Sequence, residues 1–256
     1  MKTSIDIMVK EIKNILINNN PSIYLFGSVV LDDFQLGWSD IDILCLTEYP
    51  ISSDQADKLL HLRQTLSAKY INNPYFRAFE GGFIFFEAFL NKQDDKVVYW
   101  GTSGERITNH YEFDVFSLMG LIDYGELLYG KEIRFLLNYP NSNEQLEAIK
   151  DYHNIIRKYF VNTGRSLYSA GNLLDIARCL YTLRFGKIIS KTSASVWALE
   201  NNLVPNIKIM SRVLEIRKNP NFYKNDEETL TWLESLGPYI MEFADILEKE
   251  INSLNS

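Results

Sequence analysis

Asp40 and Asp42 stand one residue apart at the head of an apolar run, "DIDILCLT" (Asp40–Thr47). On a strand, alternate side chains share a face. The two carboxylates therefore point one way, and Ile41, Ile43 and Cys45 point the other way, into the core. At about 4 Å and an effective dielectric near 20, their repulsion is on the order of 4 kcal/mol. A divalent cation removes that penalty, and hard carboxylate oxygens suit Mg²⁺ with a phosphate ligand. Upstream, Gly27-Ser28 closes a second apolar run, "SIYLF" (Ser22–Phe26). It offers close backbone approach, N–H groups and a hydroxyl, which a triphosphate needs. Alone, an Asp-x-Asp is more often a solvated strand edge and a Gly-Ser more often a plain turn. The joint pattern is what points to metal-assisted phosphate chemistry: apolar strand, Gly-Ser, about a dozen residues, then Ser-Asp-Ile-Asp opening another apolar strand.

The elements that position these residues follow from periodicity. Ile5, Met8, Val9, Ile12, Ile15 and Leu16 line one face of a helix that "NNNP" stops. Ser22–Phe26 and Asp40–Thr47 read as strands. Ser52–Tyr70 begins with capping residues and reads as a helix. Phe79–Phe89, aromatic-rich with a Gly-Gly, reads as a strand with a bulge or bend. Lys96–Gly101 adds another strand, Gly101–Ile107 a turn or an active-site loop, and Glu112–Gly130 a helix ending in glycine. "NYPNSNEQ" (Asn138–Gln145) is a linker before a capped helix, and the helical period continues from Leu146 onward. The fold class expected is α/β (α+β): a mixed sheet with helices over 1–138, then an all-helical bundle over 139–256.

Bulk properties narrow the function. With 46% hydrophobic residues, 23% charged, 15 Tyr and 15 Phe, the chain can build a sizeable core. A net charge of −7 argues against an unassisted grip on nucleic acid and is compatible with a small cationic substrate. The N-terminus has no signal-peptide pattern, no window suits a membrane span, and Cys45 and Cys179 sit in apolar surroundings, so a reduced, cytoplasmic protein is expected. His61, His110 and His153 have no ligand-spaced partners, so zinc is not expected. No nucleophile elbow, Walker A loop or dinucleotide fingerprint occurs.

"LFGSVVLDDFQLGWSDIDILCL" (Leu25–Leu46) resembles the signature of the DNA-polymerase-β-like nucleotidyltransferase superfamily. The resemblance implies that Asp40 and Asp42 hold Mg²⁺ bound to a nucleoside triphosphate and that a third carboxylate comes from a later strand. Glu80 and Glu87, seven residues apart, would face opposite ways on one strand. "RAFEGGFI" (Arg77–Ile84) resembles the strand motif of the aminoglycoside 3″/9-adenylyltransferases, which makes Glu80 the choice, as catalytic base. "ARCLYTLRFGKIISKTSASVWAL" (Ala177–Leu199) is similar to their C-terminal helical domain, and Lys191 takes the place of a lysine that reaches the nucleotide phosphates across the interdomain cleft. One departure stands out. In those enzymes acidic residues just ahead of that helix contact the drug, whereas Asn162–Asn172 contains no carboxylate and Asp175 is the nearest.

The resemblance implies transfer of AMP from ATP, with Mg²⁺, to a hydroxyl of a small molecule of the streptomycin or spectinomycin type. Asp40, Asp42 and Glu80 would be the catalytic and metal-binding residues, and Gly27, Ser28 and Lys191 the nucleotide-binding ones. The chain is expected to be a monomer or weak dimer. Two alternatives stay open: another acceptor (metabolite, protein or RNA), and a non-catalytic nucleotide-binding module.

Overall fold

The computed structural model describes residues 1–254 and divides into two compact units. The first takes in residues 1–34, 39–113 and 120–139. The second takes in 35–38, 114–119 and the chain from 140 onward.

The first unit opens with α1 (Lys2–Leu16), whose Ile5, Met8, Ile12 and Leu16 are buried at helical spacing; Val9 and Ile15 flank that stripe half-buried. Then come β1 (Ser22–Phe26), β2 (Ile41–Thr47), α2 (Ser53–Lys69), β3 (Phe79–Phe85), α3 (Phe86–Leu90), β4 (Val97–Gly101) and β5 (Gly104–Thr108). Helix α4 (Val115–Tyr124) is divided between the units, and β6 (Glu126–Tyr129) completes the sheet. The strand order is β5-β4-β3-β2-β1-β6. Only β2 and β3 pair in parallel, with α2 as their crossover; the other neighbours are antiparallel. Helix α2 starts in a capping box, Ser52 with Gln55, which satisfies two otherwise orphaned N–H groups.

The sheet has two different faces. On one, Ile23, Ile43, Phe83 and Trp100 pack against Met8 and Ile12 of α1 and Leu59 of α2. Each large side chain buried there contributes roughly 1.5–3 kcal/mol. On the other, Tyr24, Phe26, Leu44, Leu46, Ile84 and Val97 form a smaller cluster with Tyr111 and Phe113 against it. By alternation, Asp42 and Glu80 belong to this second face.

Three local expectations are corrected. The strand from Phe79 ends at Phe85, which pairs with Thr47, the last residue of β2; with no partner beyond that point, Phe86–Leu90 turns into a helix. The helix expected over Glu112–Gly130 stops at Tyr124, because Glu126–Tyr129 pairs with the outer edge of β1. The segment Gly101–Ile107 is neither a loop nor a plain turn but the β4–β5 hairpin, with Gly104 at φ +108.

The second unit is helical: α5 (Ser142–Tyr159), α6 (Leu167–Phe185), α7 (Lys191–Glu200), α8 (Ile207–Lys218), α9 (Pro220–Tyr223), α10 (Glu227–Glu234) and α11 (Gly237–Ser253). Side chains of Asn141, Ser166, Ser190, Asn206 and Asp226 cap five of them. Gly186 ends α6 at φ +62, a left-handed position suited to glycine. Helix α6 is the hub, burying Leu173, Leu174, Ile176, Ala177 and Leu180. Residues 35–38 join this unit: Arg217 stacks on Trp38 at 5.2 Å, and Asn221 donates to the Leu36 carbonyl at 2.8 Å. Cys45 and Cys179 are buried free thiols, and burial pushes both up. Among the described residues no helix is long and apolar enough to cross a membrane.

Candidate active site

The parallel pairing of β2 and β3 decides the site. Their register sets Asp42 directly beside Glu80, and on the other side Asp42 is opposite Phe26 of β1. Neighbouring strands lie roughly 4.8 Å apart, so two carboxylates from residues distant in sequence start from adjacent backbone positions on one face. Both are half-buried. Glu87 lies on α3, exposed, and off the strand altogether.

Gly27 follows β1 with φ +71, and an added Cβ would lie 2.0 Å from Oδ2 of Asp42. The Asp42 carboxylate thus rests against the bare α-carbon of Gly27. The next residues coil back on themselves, with Leu31 N–H donating to the Gly27 carbonyl and Asp33 N–H to that of Ser28. The Ser28 hydroxyl donates to the Asp40 carbonyl at 3.2 Å, tying the end of β1 to the residue before β2. Gly27, Ser28, Asp40, Asp42 and Glu80 therefore gather at one end of the sheet.

Tyr99 joins them without any sequence signal beyond its place in an apolar strand. Its hydroxyl donates to Oε1 of Glu80 at 2.5 Å. It stands opposite Gly82, and its ring passes where a Cβ on Gly101 would lie, 2.4 Å from Cε1. The Arg106 guanidinium covers that ring at 4.3 Å. Burial first, then the Glu80 carboxylate, push the Tyr99 hydroxyl well above the usual phenol range; Arg106 opposes this and the Asp40 charge adds to it.

These donors are hard oxygens of the kind magnesium takes. Among the described residues, however, no group of three or more His, Cys, Asp or Glu side chains could hold a metal ion by itself. The expectation from sequence has the acids sharing an ion that also carries a triphosphate, so protein carboxylates need not complete its shell. An ion held by one or two carboxylates, with substrate phosphates and water supplying its other ligands, is the ordinary magnesium arrangement, and the residues present fit that.

A family model for the nucleotidyltransferase domain matches residues 9–156, more than half of the chain and every one of the carboxylates above. The chain belongs to that family. This nucleotidyltransferase also resembles a solved structure over nearly its whole length. That structure is spectinomycin adenyltransferase AAD(9) from Enterococcus faecialis with ATP and spectinomycin; the TM-score is 0.67 at 19% identity, covering 94% of this chain and 97% of that one. At that identity the likeness shows the fold, a sheet domain followed by a helical part. A comparison with curated protein sequences found no match.

Lys191 lies in the helical unit of the nucleotidyltransferase, as the first residue of α7 behind its Ser190 cap. Its ammonium donates to Oδ2 of Asp175 at 2.9 Å, and Arg178 donates to Oδ1 at 2.9 Å. Burial raises the Asp175 carboxyl, but the two cations outweigh it and hold it below the usual range. Burial raises the Tyr152 hydroxyl, and the Asp175 charge adds to that. The histidines are apart from both groups: His61 and His110 are exposed, and His153 is buried beside Arg157. A cavity of about 200 Å³ in the helical unit is lined by Gly37, Trp38, Arg165, Ser166, Leu167, Tyr168 and Lys224, with no acidic residue among them.

Proposed function

We propose that this nucleotidyltransferase is an adenylyltransferase that moves AMP from ATP to a hydroxyl of a small molecule of the aminocyclitol class. The observation that carries this is the Asp42–Glu80 pair, set side by side by strand register with Gly27 open beneath Asp42. The acceptor oxygen attacks the α-phosphorus, the bond to the β-phosphate breaks, pyrophosphate leaves, and Glu80 takes the hydroxyl proton. Asp40 and Asp42 would hold Mg²⁺, beside Glu80, and the ion when bound would supply charge neutralisation at the phosphates. The Gly27-Ser28 turn would seat the β- and γ-phosphates through its backbone. The chain's own contribution is positioning and electrostatics, as phosphoryl-type transfer requires.

The test is pyrophosphate release from ATP and Mg²⁺ with spectinomycin or streptomycin as acceptor. Turnover that is lost in Asp42→Asn, with the fold retained by circular dichroism, supports the reading. An Asp42→Asn enzyme as fast as the parent sinks it.

A second reading keeps the chemistry and changes the acceptor. It is favoured by the acid-free stretch Asn162–Asn172 and by the cavity beside it, whose charged side chains are Arg165 and Lys224. A cationic drug gains nothing from such a lining. Transfer to neutral or anionic hydroxylated acceptors, with none to aminocyclitols, would establish this reading instead.

A further inference from the structure

Glu80 has two carboxylate oxygens, and the structure gives one of them a dedicated partner. Tyr99 Oη donates to Oε1 at 2.5 Å. A tyrosine that merely filled space would not need the room made for it. Gly101 leaves out the Cβ that would meet its ring at 2.4 Å, and across the strand pair Gly82 leaves out one that would meet the ring of Tyr111 at 2.6 Å. Tyr111 in turn lies 5.9 Å from Tyr99, ring centre to ring centre, and the Arg106 guanidinium lies over the Tyr99 ring at 4.3 Å. The phenol is thus held by packing on more than one side, and its one polar atom is spent on Glu80.

We infer that Tyr99 is a positioning residue for Glu80: its hydroxyl occupies Oε1 and fixes the carboxylate so that Oε2 alone is presented to the reacting hydroxyl. This rests on the reading of Glu80 as proton acceptor. A flexible glutamate has three side-chain torsions to order, and a half-buried carboxylate that samples several rotamers meets the hydroxyl in few of them. A fixed donor to one oxygen removes that freedom before substrate arrives. The hydrogen bond to a charged acceptor is of the strong class, so its loss should be felt.

Tyr99→Phe keeps the ring, its packing on Gly101 and its cover by Arg106, and removes only the donor. Two measurements decide. In crystals of Tyr99→Phe the Glu80 carboxylate should leave its present rotamer; an unchanged Glu80 overturns the proposal whatever the acceptor. In pyrophosphate release with ATP, Mg²⁺ and spectinomycin, kcat should fall about tenfold or more while KM for ATP stays within about twofold, a split that loss of fold would not produce. Equal kcat overturns the proposal. Gly101→Ala, which keeps the hydroxyl on the ring but pushes both away from Glu80, should give the same kcat defect, and adding Tyr99→Phe to it should cost little more. Additive losses count against the proposal. Glu80→Gln separates the layers. If it is inactive and Tyr99→Phe is normal, only the positioning role fails; if it is fully active, the reading of Glu80 fails and the proposal with it.

Discussion

Replacing Gly27 by alanine probes the site more directly than removing an acid. The new Cβ would sit 2.0 Å from Oδ2 and 2.8 Å from Cγ of Asp42, where ordinary contact begins near 3.4 Å. The carboxylate must therefore retreat by more than about 1 Å, or the Gly27 turn must open by as much. The backbone adds its own cost: φ +71 is left-handed, worth about 1–2 kcal/mol against any residue with a Cβ. A displacement of about 1 Å at a reacting centre lowers rate on the order of a hundredfold. Gly104→Ala is the matched control, since Gly104 has φ +108 but nothing within 4 Å of the added atom. Both variants should melt a few degrees lower by calorimetry; only Gly27→Ala should lose pyrophosphate release, by about two orders of magnitude. If Gly27→Ala melts like the control and keeps kcat within about threefold, the place of Asp42 does not matter to the reaction and the site is misassigned.

Two other outcomes follow from the first unit. Arg63 donates to Glu105 at 2.6 Å, to the Phe79 carbonyl at 2.7 Å and to the Gly101 carbonyl at 3.0 Å, bracing α2 against β3 and the β4–β5 hairpin. Burial alone would raise the Glu105 carboxyl, but Arg63 and Gln64 hold it below its usual range; Arg63→Ala should cost about 3–5 kcal/mol in urea unfolding, and a loss under about 1 kcal/mol would show the brace to be idle. Tyr24 donates to Glu132 at 3.1 Å and accepts from the Ile133 N–H at 2.8 Å; burial, the largest influence, pushes its hydroxyl up to about 12. Because the folded state keeps that proton longer, the contribution is intact below pH 10 and disappears as pH rises from about 10 to about 12, and Tyr24→Phe should flatten that part of the melting-temperature profile relative to the parent.

Much of what gathers Asp40, Asp42 and Gly27 at one end of the sheet was legible because its signals are local. Asp40 and Asp42 at strand spacing, Gly27-Ser28 after an apolar run and the Ser52 cap all act through neighbours a few residues away. What was not legible depends on partners distant in the chain. Phe86–Leu90 has the composition of a strand, yet β2 ends opposite Phe85 and leaves it nothing to pair with. Glu126–Tyr129 continues a helical-looking stretch, yet the outer edge of β1 claims it. Tyr99 in "KVVYWG" looks like one more apolar strand residue until β4 is laid beside β3 and its hydroxyl meets Glu80. A resemblance is what favours Glu80 over Glu87 in the sequence; in the fold, register sets Glu80 beside Asp42 and Glu87 lies on α3.

Gly81 faces Ile43 in that same register, and any Cβ on its backbone would lie 1.8 Å from the Ile43 carbonyl oxygen. Sliding β3 by two positions would bring Phe79 or Phe83 into that slot, where neither fits. Sliding it by one would rotate Glu80 to the apolar side. The backbone offset between the two acids is therefore quantised: point changes elsewhere in the protein can swing the carboxylate tips, but the strand positions that carry them move by whole residues or not at all.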